Sequence, residues 1–292
     1  MTLIKFLTSV VRLMRPMQWA KNLLVFTPAM FAGILGDYRG QLYSLAAFVV
    51  FCLVSSSIYI LNDIKDAQRD RLHPEKRFRP IASGEISPRQ AFFIWNFITI
   101  AALIVALSVS WKVAAIGVGY IIVNVAYTLK LKHVPWLDIT SIALGFIFRI
   151  HAGAAAVDVV VSVWLTINTF LLAAFLGFGK RYHELGALGV SAPESRPVLK
   201  YYTIKSLANI MKFLIVAIPF TFMGWSFARF SVKDALWIAL TVPVIVFALF
   251  RFFQICSDTA RFTSPTDAML RDFPLILSTV VWSGAMVGIL YL

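Results

Sequence analysis

Stretches of about 20 residues with almost no charge recur along this whole chain, and each is long enough to cross a hydrocarbon core of about 30 Å. The sequence therefore reads as an all-α integral membrane protein, and a soluble enzyme is excluded. Apolar residues make up 60% of the 292 positions against 14% charged, and mean hydropathy is +0.81. Nine spans are predicted, at 20–36, 42–62, 90–109, 112–129, 136–155, 162–179, 207–227, 235–254 and 274–291. The first is the weakest: Lys21 and Asn22 stand at its start and Pro28 in its middle, so a kink or an interfacial stretch is expected there.

A net charge of +13 would suggest nucleic acid in a soluble chain. In a membrane protein basic loops instead set orientation or hold anionic groups, so nucleic acid is not expected as a partner. Divided along the spans, 22 of the 27 Lys and Arg fall on one side, while the other holds Arg39, Lys112, Arg229 and Lys233. Arg149 falls inside a span. The positive-inside rule then places the N-terminus and the long loops in the cytoplasm and the C-terminus outside, in a multi-pass protein of the inner (plasma) membrane. Eleven of the 14 acids share the basic side and only Asp37, Asp158 and Asp234 lie opposite, although orientation makes no demand on carboxylates. Chemistry is therefore expected on the cytoplasmic face.

Cys52 and Cys256 lie in or beside apolar segments and imply neither a disulfide framework nor a thiolate metal site. Residues 1–19 read as an interfacial amphipathic helix, with Leu3, Phe6, Leu7, Val10 and Leu13 or Met14 at helical spacing and Lys5, Arg12 and Arg15 available to headgroups. No linker or fixed-period repeat marks a second module, so residues 1–292 are expected to form one membrane domain, with membrane lipids around it and no indication of oligomeric state.

The most specific stretch begins where the second span leaves the membrane, at Asn62-Asp63-Ile64-Lys65-Asp66-Ala67-Gln68-Arg69-Asp70. On a continuing helix Asp63, Asp66 and Asp70 fall on one face, within about 60° of each other. Three carboxylates so placed repel unless a cation sits among them. A hard divalent ion that keeps some waters and bridges to substrate phosphates suits the position, so Mg2+ is expected. The competing reading is a solvated helix end paired with Lys65, Arg69 and Arg71. The following turn carries Lys76, Arg77 and Arg79 beside prolines, and Arg forks and a Lys point charge are suited to phosphate. A topogenic cluster or an anionic-lipid contact is the plainer account of these cations.

The spacing NDxxDxxxD at this place resembles the first aspartate-rich motif of the UbiA-type intramembrane prenyltransferases, and Tyr127-Thr128-Leu129-Lys130 resembles their YxxxK motif with one residue fewer between Tyr and Lys. The likeness covers nearly the whole chain. The phrases at 15–22, 62–84, 131–138 and 179–185 are similar to the bacterial decaprenyl-phosphate phosphoribosyltransferases within that superfamily. This resemblance implies a helical bundle around a central cavity open to the cytoplasmic side and the bilayer. It also implies transfer of phosphoribosyl from phosphoribosyl pyrophosphate to a polyprenyl phosphate, as for a cell-wall arabinan precursor, with Mg2+ held by Asp63, Asp66 and Asp70. Lys130 and Tyr127 would stand beside them in the catalytic set.

The chain departs from the wider superfamily after the sixth span, where a second aspartate-rich motif would stand. It reads Gly179-Lys180-Arg181-Tyr182-His183-Glu184. Two cations and one acid suit a phosphate bound without metal, so Lys180, Arg181 and Glu184 are expected at an acceptor lipid monophosphate; a positive-inside flank is the alternative. Lys21 and Asn62 are further candidates, with the headgroup plane competing for Lys21. Asp138 either caps its helix or binds substrate. Arg149, costly at mid-membrane, is expected in a structural pair or facing substrate. His73, His133, His151 and His183 lack metal-ligand spacing, and Ser264, Thr266, Asp267, Arg271 and Asp272 read as a tethering loop. Two rivals remain at this level. A prenyltransferase acting on an aromatic or other lipid acceptor would need the missing second motif. A transporter of an anionic metabolite or lipid would show broken helices at membrane depth.

Overall fold

The computed structural model describes residues 3–72, 75–259, 265, 269 and 271–291, and among them every regular element is a helix. After α1 (Leu3–Met14), a 3-10 run over Pro16–Phe26 and the short α2 (Thr27–Phe31) come the long helices α3 (Tyr38–Arg71), α4 (Pro88–Val109), α5 (Trp111–Leu129), α6 (Leu137–Ala156) and α7 (Val163–Leu188). The short α8 (Ala192–Ser195) is followed by α9 (Ile204–Arg229), α10 (Val232–Ala239), α11 (Val242–Ser257) and α12 (Phe273–Tyr291). Among the described residues, seven helical stretches are long and apolar enough to cross a membrane: α3 to α6, 163–194, α9, and α10 with α11; the apolar stretch Phe273–Ile289 is shorter.

The expected first span, read as the weakest and as kinked or interfacial, is broken throughout. Residues 20–36 form no single helix but pieces of 3-10 and α-helix with a left-handed break at Gly33. Pro16 and Pro28 remove backbone donors, and Gly153 of α6 admits the backbone of this segment so closely that a Cβ there would lie 1.9 Å from the Val25 carbonyl oxygen. The helices around it start where their caps dictate. Asp37 accepts from the Gly40 N–H at 3.0 Å to begin α3, and Ser87 with Gln90 forms a capping box ahead of α4, with Pro88 in the first turn.

The chain divides into two compact units, residues 1–129 with 148–161, and 130–147 with 162–292. In the first, α3 packs against α1, α4, α5 and the 3-10 run. Small residues such as Ala47, Ala102, Ala106 and Ala114 let the helices approach closely, with Phe51, Val54 and Tyr120 filling between them. A separate cluster joins Leu13 of α1, Ile60 and Ala67 of α3, Ala91 and Ile98 of α4, and Ile81 and Ile86 of the intervening loop. In the second unit, Phe175 and Phe178 of α7 pack with Leu207 and Met211 of α9 and Phe252 and Cys256 of α11.

The amphipathic N-terminal segment is helical to Met14, and its apolar residues serve two faces. Leu13, with Phe6, Val10 and Met14, packs into the bundle, while Leu3, Ile4, Leu7 and Val11 stay exposed.

Candidate functional site

α3 continues for its full 34 residues, so its last turns carry the ordered acids beyond the apolar window. Asp63 and Asp70 are buried and Asp66 half-buried on this end. The loop after α3 supplies their counter-charge. Ile81 and Ile86 are fully buried, and the Ile86 N–H donates to the Pro80 carbonyl at 3.0 Å, folding residues 79–86 into a compact turn. Burying two such side chains is worth roughly 1.5–3 kcal/mol each, which fixes the loop against the helix end. Arg79 is thereby held where one Nη1 donates to Asp63 Oδ1 at 3.1 Å and to Asp70 Oδ2 at 2.7 Å. Lys76 and Arg77 lie exposed on the same loop.

The other cation comes from far upstream. Arg15 takes a left-handed conformation, φ 53°, between α1 and the 3-10 run, a costly state for a non-glycine residue that the surroundings must hold. Ser56 of α3 does so from both sides: its Oγ donates to the Met14 carbonyl at 2.9 Å and accepts from the Trp19 indole at 3.1 Å. The Arg15 guanidinium then donates to Asp63 Oδ1 and lies over the Tyr59 ring at 5.2 Å. The acids that the sequence crowds onto one face are thus interleaved with guanidinium groups.

Hydrogen bonds from α5 complete this end. The Thr128 hydroxyl donates to the Asn62 side chain, and Lys65 Nζ donates to the Thr128 carbonyl at 3.0 Å. Tyr127 stands next to this contact, half-buried, and Lys130 follows, exposed. Outside the membrane-spanning segments, Glu85 accepts from Ser9 at 2.6 Å and pairs with Arg12 at 3.0 Å, which holds its carboxyl below the usual range. Arg12 also donates to the Phe78 carbonyl at 2.7 Å, so α1 pins the loop that carries Arg79.

Elsewhere in the first unit, buried Arg149 donates to Asn22 Oδ1 at 2.7 Å and to the Tyr120 hydroxyl at 3.2 Å, and Asn22 in turn donates to Ser55 at 3.2 Å. This places Arg149 in a polar node inside the helices rather than beside the acidic end. Lys21 is exposed.

In the second unit, Lys180 is exposed, but Arg181 is among the most deeply buried large side chains. Its Nε donates to Asp138 Oδ2 at 2.8 Å and its Nη1 to Glu184 at 3.1 Å, and Glu184 also pairs with Arg196 at 3.3 Å. The Tyr202 hydroxyl donates to Asp138 Oδ1 at 2.9 Å and accepts from the Trp136 N–H at 2.8 Å, with Trp136 at φ 69°. Burial foremost pushes the Tyr202 hydroxyl up to about 12, so it remains a donor at neutral pH. Asp138, Arg181 and Glu184 therefore form one enclosed network that holds the turn before α6. Of the weaker candidates, His73, Ser264, Thr266 and Asp267 lie outside the described residues, while Asp272 accepts from Arg251 at 2.7 Å, tying α11 to the start of α12.

Sequence reasoning missed Arg15, Tyr59 and Tyr202. The sequence reading offers Arg15 to the headgroups, and the following Pro16 favours an extended rather than a left-handed residue there, so no local signal points to its φ of 53°.

Among the described residues no three His, Cys, Asp or Glu side chains converge as a ready metal-ligand set. The donor chemistry still fits a hard divalent cation. Asp63 and Asp66 offer oxygens on one helix face, Mg2+ commonly takes one or two carboxylates and completes its shell with water and phosphate, and Arg15 and Arg79 already stand in as cations at Asp63.

Apolar helices crossing a membrane and carrying ordered acids at a helix exit define a multi-pass, all-helical membrane protein. The chain belongs to the UbiA prenyltransferase family, whose model matches residues 22–183, and it is accordingly a transferase. Over 97% of its length it is 32% identical to a decaprenyl-phosphate phosphoribosyltransferase of Mycolicibacterium smegmatis, covering 93% of that protein. It is 31% identical to the protein of the same name from Mycobacterium tuberculosis, over 94% of this chain and 91% of the other. Among solved structures, a UbiA homolog from Archaeoglobus fulgidus bound to GPP and Mg2+ superposes with a TM-score of 0.71 at 18% identity, covering 97% of this chain and 100% of that one.

Proposed function

We propose that this membrane transferase moves 5-phosphoribosyl from phosphoribosyl pyrophosphate to a polyprenyl phosphate, with decaprenyl phosphate the reference acceptor, at the cytoplasmic face of the plasma membrane. The product would be a lipid-linked phosphoribose of the kind used as a cell-wall arabinan precursor. The observation that carries the reading is the similarity, across nearly the whole chain, to relatives named for that reaction. The carboxylate and guanidinium cluster at the end of α3 supports it, because such a cluster meets both a divalent cation and phosphate oxygens.

In this reading Mg2+ would be held by Asp63 and Asp66, with Asp70 assisting, and would supply Lewis-acid neutralisation of the departing diphosphate. Arg15 and Arg79 turn from the carboxylates toward donor phosphates, and Lys76 and Arg77 close from the loop. Tyr127 hydrogen-bonds a phosphate, and Lys130 and Lys180 serve as phosphate contacts. An oxygen of the lipid phosphate attacks the ribose anomeric carbon, a new C–O bond forms, and the bond to diphosphate breaks with its electron pair leaving on diphosphate. The attacking phosphate is already ionised, so no strong general base is required. Asn62, held by Thr128, orients the helix end, whereas Arg181, Asp138 and Glu184 support the fold of their own unit.

The test is incubation of the purified protein with Mg2+, labelled phosphoribosyl pyrophosphate and a long-chain polyprenyl phosphate. Label is expected in the lipid fraction, and Asp63→Asn or Asp66→Asn should lower its appearance by more than about 100-fold while leaving membrane insertion intact. If label stays aqueous while a prenyl diphosphate is consumed with an aromatic acceptor, prenyl transfer replaces this proposal.

A further inference from the structure

A polar cavity lies at the end of α3 away from the acidic cluster. It has a volume of about 490 Å³ and sits where the start of α3, the α4–α5 turn and the end of α6 meet, all within the first unit. Arg39 and Asp63 are 24 residues apart on α3, which at helical rise is about 36 Å. That separation exceeds the hydrocarbon thickness, so the cavity opens on the membrane face opposite the acidic cluster.

That face is poor in charge. The count along the spans gives it three acids and four cations, yet four of those seven residues, Asp37, Arg39, Lys112 and Asp158, line this one cavity. Tyr43 and Trp111 stand at it as well, both exposed as amphipathic rings are at a headgroup level. The backbone shapes the wall. At Gly40 an added Cβ would lie 2.4 Å from the Ile34 carbonyl oxygen, so only glycine lets the preceding turn fold this tightly onto α3.

The charges differ in how far they are committed. Asp37 caps α3 through the Gly40 N–H at 3.0 Å. Lys112 and Asp158 pair at 2.7 Å, but their side chains are 49% and 84% exposed, so the bond is readily exchanged for a ligand. Arg39 has no hydrogen-bond or ion-pair partner among the described residues.

We infer that this cavity binds the headgroup of a zwitterionic, primary-amine phospholipid, that is, an ethanolamine phosphate. Arg39 and Lys112 take the phosphate, and Asp158, released from Lys112, accepts from the ammonium. Two cations and two acids balance a zwitterion, whereas an anionic headgroup would leave Asp158 facing negative charge. A choline headgroup has no N–H to donate, so the site discriminates against it. The inference is independent of the proposed transfer reaction, because none of these residues belongs to that site.

The test is native mass spectrometry of the full-length protein in detergent with equal amounts of phosphatidylethanolamine, phosphatidylcholine or phosphatidylglycerol. Wild type is expected to retain the ethanolamine lipid about two- to five-fold better than the other two, the effect of one exposed charge-assisted pair at Asp158. Asp158→Asn should abolish that preference, Arg39→Gln should weaken retention of all three, and Arg39→Lys should restore it. Soluble phosphoethanolamine should bind more weakly than the lipid. Equal retention of ethanolamine and glycerol lipids in wild type, or a preference that survives Asp158→Asn, overturns the assignment.

Discussion

Arg79→Gln removes the guanidinium shared by Asp63 and Asp70. Asp63 keeps Arg15, but Asp70, with a side chain 6% exposed, loses its bond of 2.7 Å. Deleting one partner of a fully buried pair costs about 3–5 kcal/mol, because the other charge stays desolvated. Arg79 itself is 29% exposed, so water offsets part of that cost and about 2 kcal/mol is expected. For a protein of this size each kcal/mol corresponds to about 2–4 °C, which puts the apparent unfolding temperature about 4–8 °C lower in chelator-containing buffer. In the proposed reading a divalent cation held by Asp63 and Asp66, with Asp70 assisting, would replace the missing charge. Mg2+ should therefore raise the unfolding temperature of the variant several degrees more than that of wild type. The assay is thermal unfolding of the purified protein in detergent, with chelator and then with Mg2+. An unchanged temperature in chelator, or an equal Mg2+ increment in both proteins, would refute the idea that Arg79 is the resident counter-ion of the acidic end.

Two further outcomes follow from the geometry. Arg181→Gln leaves Asp138 buried with only Tyr202 of its named partners and should cost about 3 kcal/mol or more, read as reduced thermal stability; Asp138→Asn combined with it should cost less than the sum, giving a double-mutant coupling above about 1 kcal/mol. Glu85→Gln tests the pin between α1 and the loop. Because the folded-state carboxyl is held below its ordinary value of 4.5, its contribution is complete above that pH and vanishes as pH falls through the lowered value. The variant should be less stable at pH 7 by about 0.5–1 kcal/mol and match wild type near pH 3, measured by unfolding temperature across that range.

The sequence alone determined the helical membrane architecture, because apolar length is a local property that a bilayer reads directly. It also determined the acidic face, since spacings of three and four residues fix direction on any helix, and the cations that follow Asp70 are neighbours in sequence. Tertiary structure decided what those charges do. Arg15 reaches Asp63 across 48 residues only because Ser56 clamps Met14 and Trp19 and holds a left-handed turn that no local preference selects. The fragmentation of 20–36 likewise depends on Gly153 offering room for a backbone. At 180–184 two adjacent cations read alike, yet one faces outward and the other is enclosed by Asp138 and Glu184. Residues next to each other on a helix point about 100° apart, and which of them meets the core is set by the helices packed around them.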